Sequence, residues 1–388
     1  MQLMREGYHE QLFLFTNERG EPIVRKQAKP RPDGTLLTEI AWLEEVPPRC
    51  RQHFPRVLRS HKQSDGQPVF YEMPYFGQEW VLLSDLILTG AIDRPRALTL
   101  IAKVMAVMFD GIFPVIYPKE TMTYPDKLVT LLEQCLLRIP ELAAFRPFIF
   151  SDVILVNGEQ CRNVFSLLEE IKGNSWLSAM LCPTAVRKVH GDLYPENVLV
   201  RLPSLRRSAP QVMILDPIAA IGLNRGDFAM DIAKCKSWLS AELLALRLGL
   251  FTIQEERSAS PAFTMALHME DEQLRALHDG ILLHEFLQIL GSTSWSRTLC
   301  DEDAHWWRRV SFYEALYALS MVPLVPAWQS LARFLVGIRH LNDFVSAMST
   351  SQTRMGSTVG NAHPTSEHSL LTTDYWLLFG GTHAFRFF

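Results

Sequence analysis

Val189-His190-Gly191-Asp192-Leu193-Tyr194-Pro195-Glu196-Asn197-Val198-Leu199-Val200 is the stretch on which the reading of this chain turns. Two further segments follow it, Val212-Met213-Ile214-Leu215-Asp216-Pro217 and Gly226-Asp227-Phe228-Ala229-Met230-Asp231-Ile232-Ala233-Lys234. Val198–Leu202 and Gln211–Leu215 read as two apolar strands, separated by a basic, proline-bounded loop containing Arg206 and Arg207. Paired as a hairpin, they set the residue just before the first strand opposite the residue just after the second. That brings Asn197 to Asp216, with Asp192 on the loop before Asn197. Such a group of hard oxygen donors suits Mg²⁺, which takes one or two carboxylates and completes its shell with water and phosphate oxygens. A carboxylate the metal does not need is free to accept the proton of an attacking hydroxyl. Phosphoryl transfer divides its labour in this way.

Working outward, the 388 residues predict two or three structural units at roughly 100–200 residues per domain. Apolar residues at 48% and charged residues at 21% are ordinary for a globular chain and exclude wholesale disorder and fibrous repeats. The 38 Lys and Arg against 42 Asp and Glu give a net charge of −4, with no basic field to argue for a nucleic-acid partner. No stretch approaches the roughly 18–20 apolar residues needed to span a bilayer. The N-terminus carries charges early, and its apolar run Leu12-Phe13-Leu14-Phe15 is too short for a signal peptide. Six scattered cysteines without a C-x-x-C pair read as reduced thiols, which predicts a cytoplasmic protein.

The beginning of the chain reads as a small mixed unit. Leu12–Phe15 is strand-like, Asn17-Glu18-Arg19-Gly20 a turn, and Pro22–Ala28 a second strand. Leu36, Leu37, Ile40, Leu43 and Val46 recur at helical spacing until Pro47-Pro48. Strands are expected around Arg56–Leu58 and at Val69–Met73, with a break at Pro74–Gly77. Beyond it the pattern is helical: Ala97–Phe109, a stripe over Leu128, Leu131, Leu132, Cys135 and Leu136, then Val164–Leu181 and parts of Trp238–Leu250, Glu272–Leu290 and Trp306–Phe344. Val153–Val156 leads into Asn157-Gly158, a hairpin-turn dipeptide. The organisation this predicts is an α+β chain with an N-terminal lobe over 1–76, a C-terminal lobe over 77–349 and a loosely held tail over 350–388.

His190-Gly191-Asp192 followed four residues later by Asn197, the Leu-Asp-Pro strand end and the Gly-Asp-x-x-x-Asp-Ile-Ala segment together resemble the aminoglycoside phosphotransferase and choline kinase superfamily. The resemblance implies a two-lobed, protein-kinase-like fold: a small antiparallel sheet with one helix, joined to a mostly helical lobe. It implies Mg²⁺ as cofactor, ATP or GTP as co-substrate, and a small-molecule hydroxyl acceptor such as an amino sugar, a sugar or a choline-like alcohol. By position, Asp192 is similar to the catalytic aspartate, Asn197 and Asp216 to the metal ligands, and His190 to a residue that holds the loop. Asp231 resembles the aspartate that fastens the catalytic loop through backbone N–H groups. Lys26 and Glu39 correspond to the lysine and glutamate that position the phosphates, Lys26 being preferred to Arg25 because it shares a strand face with Val24 and Ala28. Met73-Pro74-Tyr75 resembles the hinge that meets the purine, through Met73 and Tyr75. Asp227 reads more simply as turn chemistry.

Two departures from the family pattern bear on activity. No strand and glycine-rich phosphate loop is legible before Leu12, and the tail after Thr350 has no counterpart. A catalytically silent kinase-like binding module is therefore one alternative reading, and a protein kinase or nucleotidyl transferase on the same scaffold is another. Glu270-Asp271-Glu272 and Asp301-Glu302-Asp303 would attract a cationic acceptor, though charge runs are more commonly solvated helix starts. Trp306, Trp307 and Tyr313 would stack on a sugar, though aromatic residues at helical spacing are more commonly core. The sequence leaves the acceptor, the purine and the oligomeric state open.

Overall fold

The computed structural model describes the chain except for residues 1, 7–9, 30–34, 63–67, 119–128, 131, 135, 138–147, 149, 206, 208, 218–224, 257–259, 269, 304 and 358–388. Its contacts divide it into two compact units, each of three chain segments: Met1–Tyr124, Cys182–Leu248 and Met269–Tyr313 in the first, Pro125–Leu181, Gly249–His268 and Glu314–Phe388 in the second.

The first unit opens with β1 (Gln2–Glu6), β2 (Glu10–Thr16) and β3 (Pro22–Ala28). Asn17 closes the β2–β3 turn, its Oδ1 accepting from the N–H groups of Arg19 and Glu21 at 2.9 Å. Helix α1 (Thr35–Glu44) follows, with Leu36, Ile40 and Leu43 buried at i, i+4 and i+7. After β4 (Arg59–His61) and β5 (Phe70–Pro74) the sheet is complete, antiparallel throughout in the order β1-β2-β3-β5-β4. Pairing of Lys26 with Tyr71 and of Val24 with Met73 sets these four side chains on one face. β1 corrects the expectation that the sheet lacks a strand ahead of β2. Gln2-Leu3-Met4-Arg5-Glu6 has no apolar alternation to announce it, and its extended form comes from pairing with β2.

β6 (Trp80–Leu82), α2 (Leu83–Leu88) and α3 (Arg94–Val107) come next. Asp93 caps α3 by accepting from Arg96 N–H at 2.9 Å, and the helix runs into a π turn over Met108–Ile112 before β7 (Ile116–Tyr117). Most of the expected 128–136 stripe lies outside the described residues, but Val129, Leu132 and Leu136 are buried.

The chain then enters the second unit through β8 (Val153–Val156) and β9 (Glu159–Arg162). The expected hairpin is there, with Asn157 and Gly158 at φ +53° and +77°. The single helix expected over 164–181 is two, α4 (Val164–Gly173) and α5 (Ser175–Met180). Asn174 breaks it, because its side chain accepts from the N–H groups of Trp176 and Leu177 and so starts a new helix.

Back in the first unit, β10 (Val186–Lys188), β11 (Val198–Arg201), β12 (Val212–Ile214) and β13 (Arg225–Gly226) frame the motif segments, followed by α6 (Ala229–Leu239) and α7 (Glu242–Leu248). β11 pairs with β12 on one side and β6 on the other. An aromatic cluster anchors this region: Phe109 lies 5.0 Å from Phe113, 5.6 Å from Phe228 and 5.2 Å from Trp295 between ring centroids.

β14 (Phe251–Glu256) and β15 (Ala262–Leu267) return to the second unit and join its sheet in the order β14-β15-β8-β9, β15 running parallel to β8. Sequence periodicity assigned no element to this segment, which lies between two stretches read as helical. α8 (Glu272–His278), α9 (Ile281–Ser292), α10 (Ser294–Glu302), α11 (Trp306–Ser320) and α12 (Ala327–Ser357) complete the described chain, an α+β structure as expected. Residues 358–388, where most of the expected tail falls, lie outside the described residues. Among the described residues no helix is long and apolar enough to cross a membrane.

Candidate active site

Every residue singled out from the motifs lies in the first unit. Lys26 stands in the middle of β3, and its ammonium is within 2.9 Å of both Glu39 oxygens and 3.0 Å of Asp216 Oδ1. One cation thus ties together a strand, a helix and the end of a hairpin. Lys26 is 4% exposed and Glu39 3%. Burial pulls the Lys26 ammonium down, but the Asp216 and Glu39 carboxylates outweigh it and hold the group well above its usual range. Burial pushes Glu39 up to about 7, against the pull of Lys26. Tyr71, the cross-strand partner of Lys26, donates its hydroxyl to Glu39 at 2.8 Å and fixes the carboxylate from a third side. No sequence motif pointed to Tyr71. Arg25 faces the other way and pairs with Glu72.

The catalytic-type loop is organised by His190 and Asp231. Asp231, in the first turn of α6, accepts from the N–H groups of His190 and Gly191 at 2.7 Å each. Burial drives its carboxyl up to about 7, and those two donors draw it down. His190 Nε2 lies 2.9 Å from the Leu215 carbonyl, and Nδ1 accepts from Asp192 N–H at 3.2 Å. The imidazole therefore links the loop that carries Asp192 to the strand end that carries Asp216. Burial pushes His190 down to about 4, so it is neutral at physiological pH. Asp192 and Asn197 are both buried, and Asn197 Nδ2 donates to the Asp192 backbone carbonyl at 2.9 Å and to its Oδ2 at 3.0 Å.

The hairpin differs from expectation by one residue. Val198 pairs with Ile214, and Leu215 N–H donates to Asn197 O at 2.7 Å, so Asn197 opposes Leu215 rather than Asp216. Asp216 lies one residue further on, at φ +53°, a left-handed turn that Asp tolerates because its short side chain bonds locally. The strand pattern cannot announce that turn.

Neither Asn197 nor Asp216 belongs to a dense ligand cluster; among the described residues no three His, Cys, Asp or Glu side chains gather as a metal site. The donor set still fits a hard cation. With Nδ2 committed to Asp192, Asn197 keeps its amide oxygen, and the Asp216 side chain is 31% exposed with one oxygen on Lys26. One carboxylate and one amide oxygen are what Mg²⁺ takes when water and phosphate supply the rest. Met73 is buried near the end of β5, where it pairs with Val24, and Tyr75 N–H donates to Pro22 O at 3.3 Å. β4 reaches only as far as Glu72, so the strand runs past its outer neighbour at Met73 and Pro74.

The other charged and aromatic candidates are structural. Asp227 and Asp303 both bind the Arg309 guanidinium, Asp303 at 2.6 and 3.0 Å, and all three are buried. Glu302 pairs with Arg187 at 2.9 Å, and Asp271 caps α8 by accepting from Gln273 and Leu274 N–H. Trp306, Trp307 and Tyr313 are core, Trp306 lying 5.9 Å from Phe228 between ring centroids. Glu196, inside the loop motif, accepts from Trp238 Nε1 and from Arg247, which pins the turn before β11.

No protein-family model matches the sequence, and no curated protein matches it. Solved structures do. One is a glucosamine kinase in complex with glucosamine, ADP and inorganic phosphate, 14% identical, with a TM-score of 0.42 and covering 89% of this chain and 82% of that one. Another is a macrolide 2′-phosphotransferase from Brachybacterium faecium, 15% identical, TM-score 0.40, covering 88% and 91%. A third is an amicoumacin kinase in complex with AMP-PNP and Ca²⁺, 11% identical, TM-score 0.42, covering 88% of each chain.

Proposed function

We propose that the chain is a phosphotransferase that moves the γ-phosphoryl group of ATP or GTP to a hydroxyl of a small molecule, on a two-lobed kinase-like scaffold divided near residues 76 and 77. The observation that carries the reading is the Lys26 ammonium shared between Glu39 and Asp216. A buried lysine held by one carboxylate and touching a second, more exposed one at a hairpin end is arranged to present positive charge to an anion. In this reading Lys26 binds nucleotide phosphates, Glu39 and Tyr71 hold it still, and the backbone near Met73 and Tyr75 meets the purine. Asn197 and Asp216 would hold Mg²⁺, which when bound neutralises phosphate charge. Asp192 orients the acceptor hydroxyl and takes its proton, while His190 and Asp231 keep the loop in place. The β1–β2 pairing supplies a strand ahead of Leu12, which favours an active enzyme over a silent module. A cytoplasmic location agrees with the unpaired, buried thiols of Cys50, Cys161 and Cys235.

In the acidic runs expected to attract a cationic acceptor, Asp303, Glu302 and Asp271 are committed to Arg309, Arg187 and a helix cap, while Glu270, Glu272 and Asp301 stand exposed. The test is a panel of amino sugars, neutral sugars and choline-like alcohols scored by nucleotide consumption, with Asp192→Asn as control. Asp192→Asn is expected to lower turnover by about 10²-fold or more while Mg²⁺-nucleotide binding persists. Unchanged turnover would remove Asp192 from the reaction.

A further inference from the structure

The proposed reaction needs the Asp192 carboxylate for the acceptor, yet that carboxylate already has a companion. Lys234 Nζ lies 2.9 Å from Asp192 Oδ1 and 5.2 Å from the centroid of the Tyr194 ring. The same Oδ1 is buried and receives no aligned hydrogen bond. The contact is thus charge against charge, off the hydrogen-bond axis. Lys234 stands on α6 less than one turn after Asp231, so a single helix fixes both the loop backbone and this ammonium. The neighbouring cations have other commitments. Lys26 is divided between Glu39 and Asp216, Arg247 is held by Glu196, and burial keeps His190 neutral.

We propose that Lys234 is a catalytic cation of this site: it balances Asp192 while nucleotide is absent, and it contacts the γ-phosphoryl oxygens once a nucleoside triphosphate is bound. The inference rests on the kinase reading above. In the transfer step the acceptor oxygen bonds to the γ-phosphorus as the bond from that phosphorus to the β,γ-bridging oxygen breaks. The electron pair of the broken bond stays on the diphosphate. The hydroxyl proton passes to Asp192 and from there to water. The phosphoryl oxygens remain negative throughout, and a flexible four-carbon stem lets Lys234 meet them while it stays beside Asp192. The transferring group is thus stabilised by a cation that was already desolvated.

The test is isothermal titration of AMP-PNP and of ADP, each with Mg²⁺, into wild type, Lys234→Ala, Lys234→Arg and Asp192→Asn, with turnover measured alongside. Lys234→Ala is expected to weaken AMP-PNP about tenfold, the scale of one lost charge-assisted hydrogen bond, and to leave ADP unchanged. Lys234→Arg restores part of that preference. Asp192→Asn releases the ammonium from its carboxylate and tightens AMP-PNP relative to ADP. A lysine that merely steadied Asp192 would leave the triphosphate-over-diphosphate preference where it was. Equal weakening of both nucleotides, or of neither, overturns the proposal and leaves the kinase reading standing. Wild-type protein that binds neither nucleotide overturns both.

Discussion

The two ring nitrogens of His190 take opposite parts, Nε2–H donating to Leu215 O and Nδ1 accepting from Asp192 N–H. Protonation would set an Nδ1–H against that N–H, which is why the folded protein resists it. With an ordinary value of 6.5 pushed by burial down to about 4, the unfolded chain binds a proton that the folded chain refuses between those values. The stability contributed is complete above pH 6.5 and is lost as pH falls toward 4, on the order of 3 kcal/mol in full. His190→Asn offers a donor and an acceptor without titrating, and it should flatten the acid limb of stability followed by urea melts from neutral pH down to about 4. Identical limbs in the two proteins would place the acid sensitivity elsewhere. Arg309 makes a second residue-scale case. Replacing it with Met leaves Asp227 and Asp303 buried without their cation, and the expected loss is about 3–5 kcal/mol in denaturant unfolding.

At the scale of elements, α1 and the loop strand β10 are strapped by two reciprocal bonds. Trp42 Nε1 donates to Val189 O at 2.8 Å, and Lys188 Nζ donates to Trp42 O at 3.0 Å. The Trp42 ring also stands edge-on to His190, 5.9 Å away. Since α1 carries Glu39, the strap sets the Lys26–Glu39 pair against the loop that holds His190 and Asp192. Trp42→Phe keeps the packing and orphans a buried carbonyl, so an equilibrium melt should show a loss of about 1–3 kcal/mol. An unchanged midpoint would mean that water satisfies the carbonyl. Much of this architecture is legible in the sequence, because β2, β3, α1 and the β8–β9 hairpin each carry their own periodicity or turn residues. The strap is not, since nothing local in Trp42 or Lys188 names a partner far along the chain. β14 and β15 escape for a related reason: their place depends on an edge offered by β8. The one-residue slip at Asn197 arises because strand pattern fixes a face but not where a strand stops.

At the scale of the molecule, the residues proposed to bind nucleotide all fall in one compact unit, although they come from chain segments far apart. Binding there should stabilise the fold by mass action, about 2.7 kcal/mol with nucleotide at about a hundredfold its dissociation constant. A thermal-shift titration with Mg²⁺ and ATP should therefore raise the melting temperature, and chelation should reverse it. A shift that survives chelation would take Asn197 and Asp216 out of the metal role. The residues of the proposed site stand out in the sequence because binding of phosphate and metal, where it occurs, imposes fixed residue types at fixed intervals. The acceptor was not, because no comparable rule governs a pocket for an unspecified alcohol.

Asp231 secures the backbone of His190 and Gly191 from 41 and 40 positions downstream. A ribosome therefore makes the whole loop before the residue that sets its shape. Until α6 has emerged and docked, the nascent segment has its amides facing solvent and its histidine free to take up a proton. The shape of the loop is consequently a late acquisition during synthesis, since it waits on a contact far along the chain.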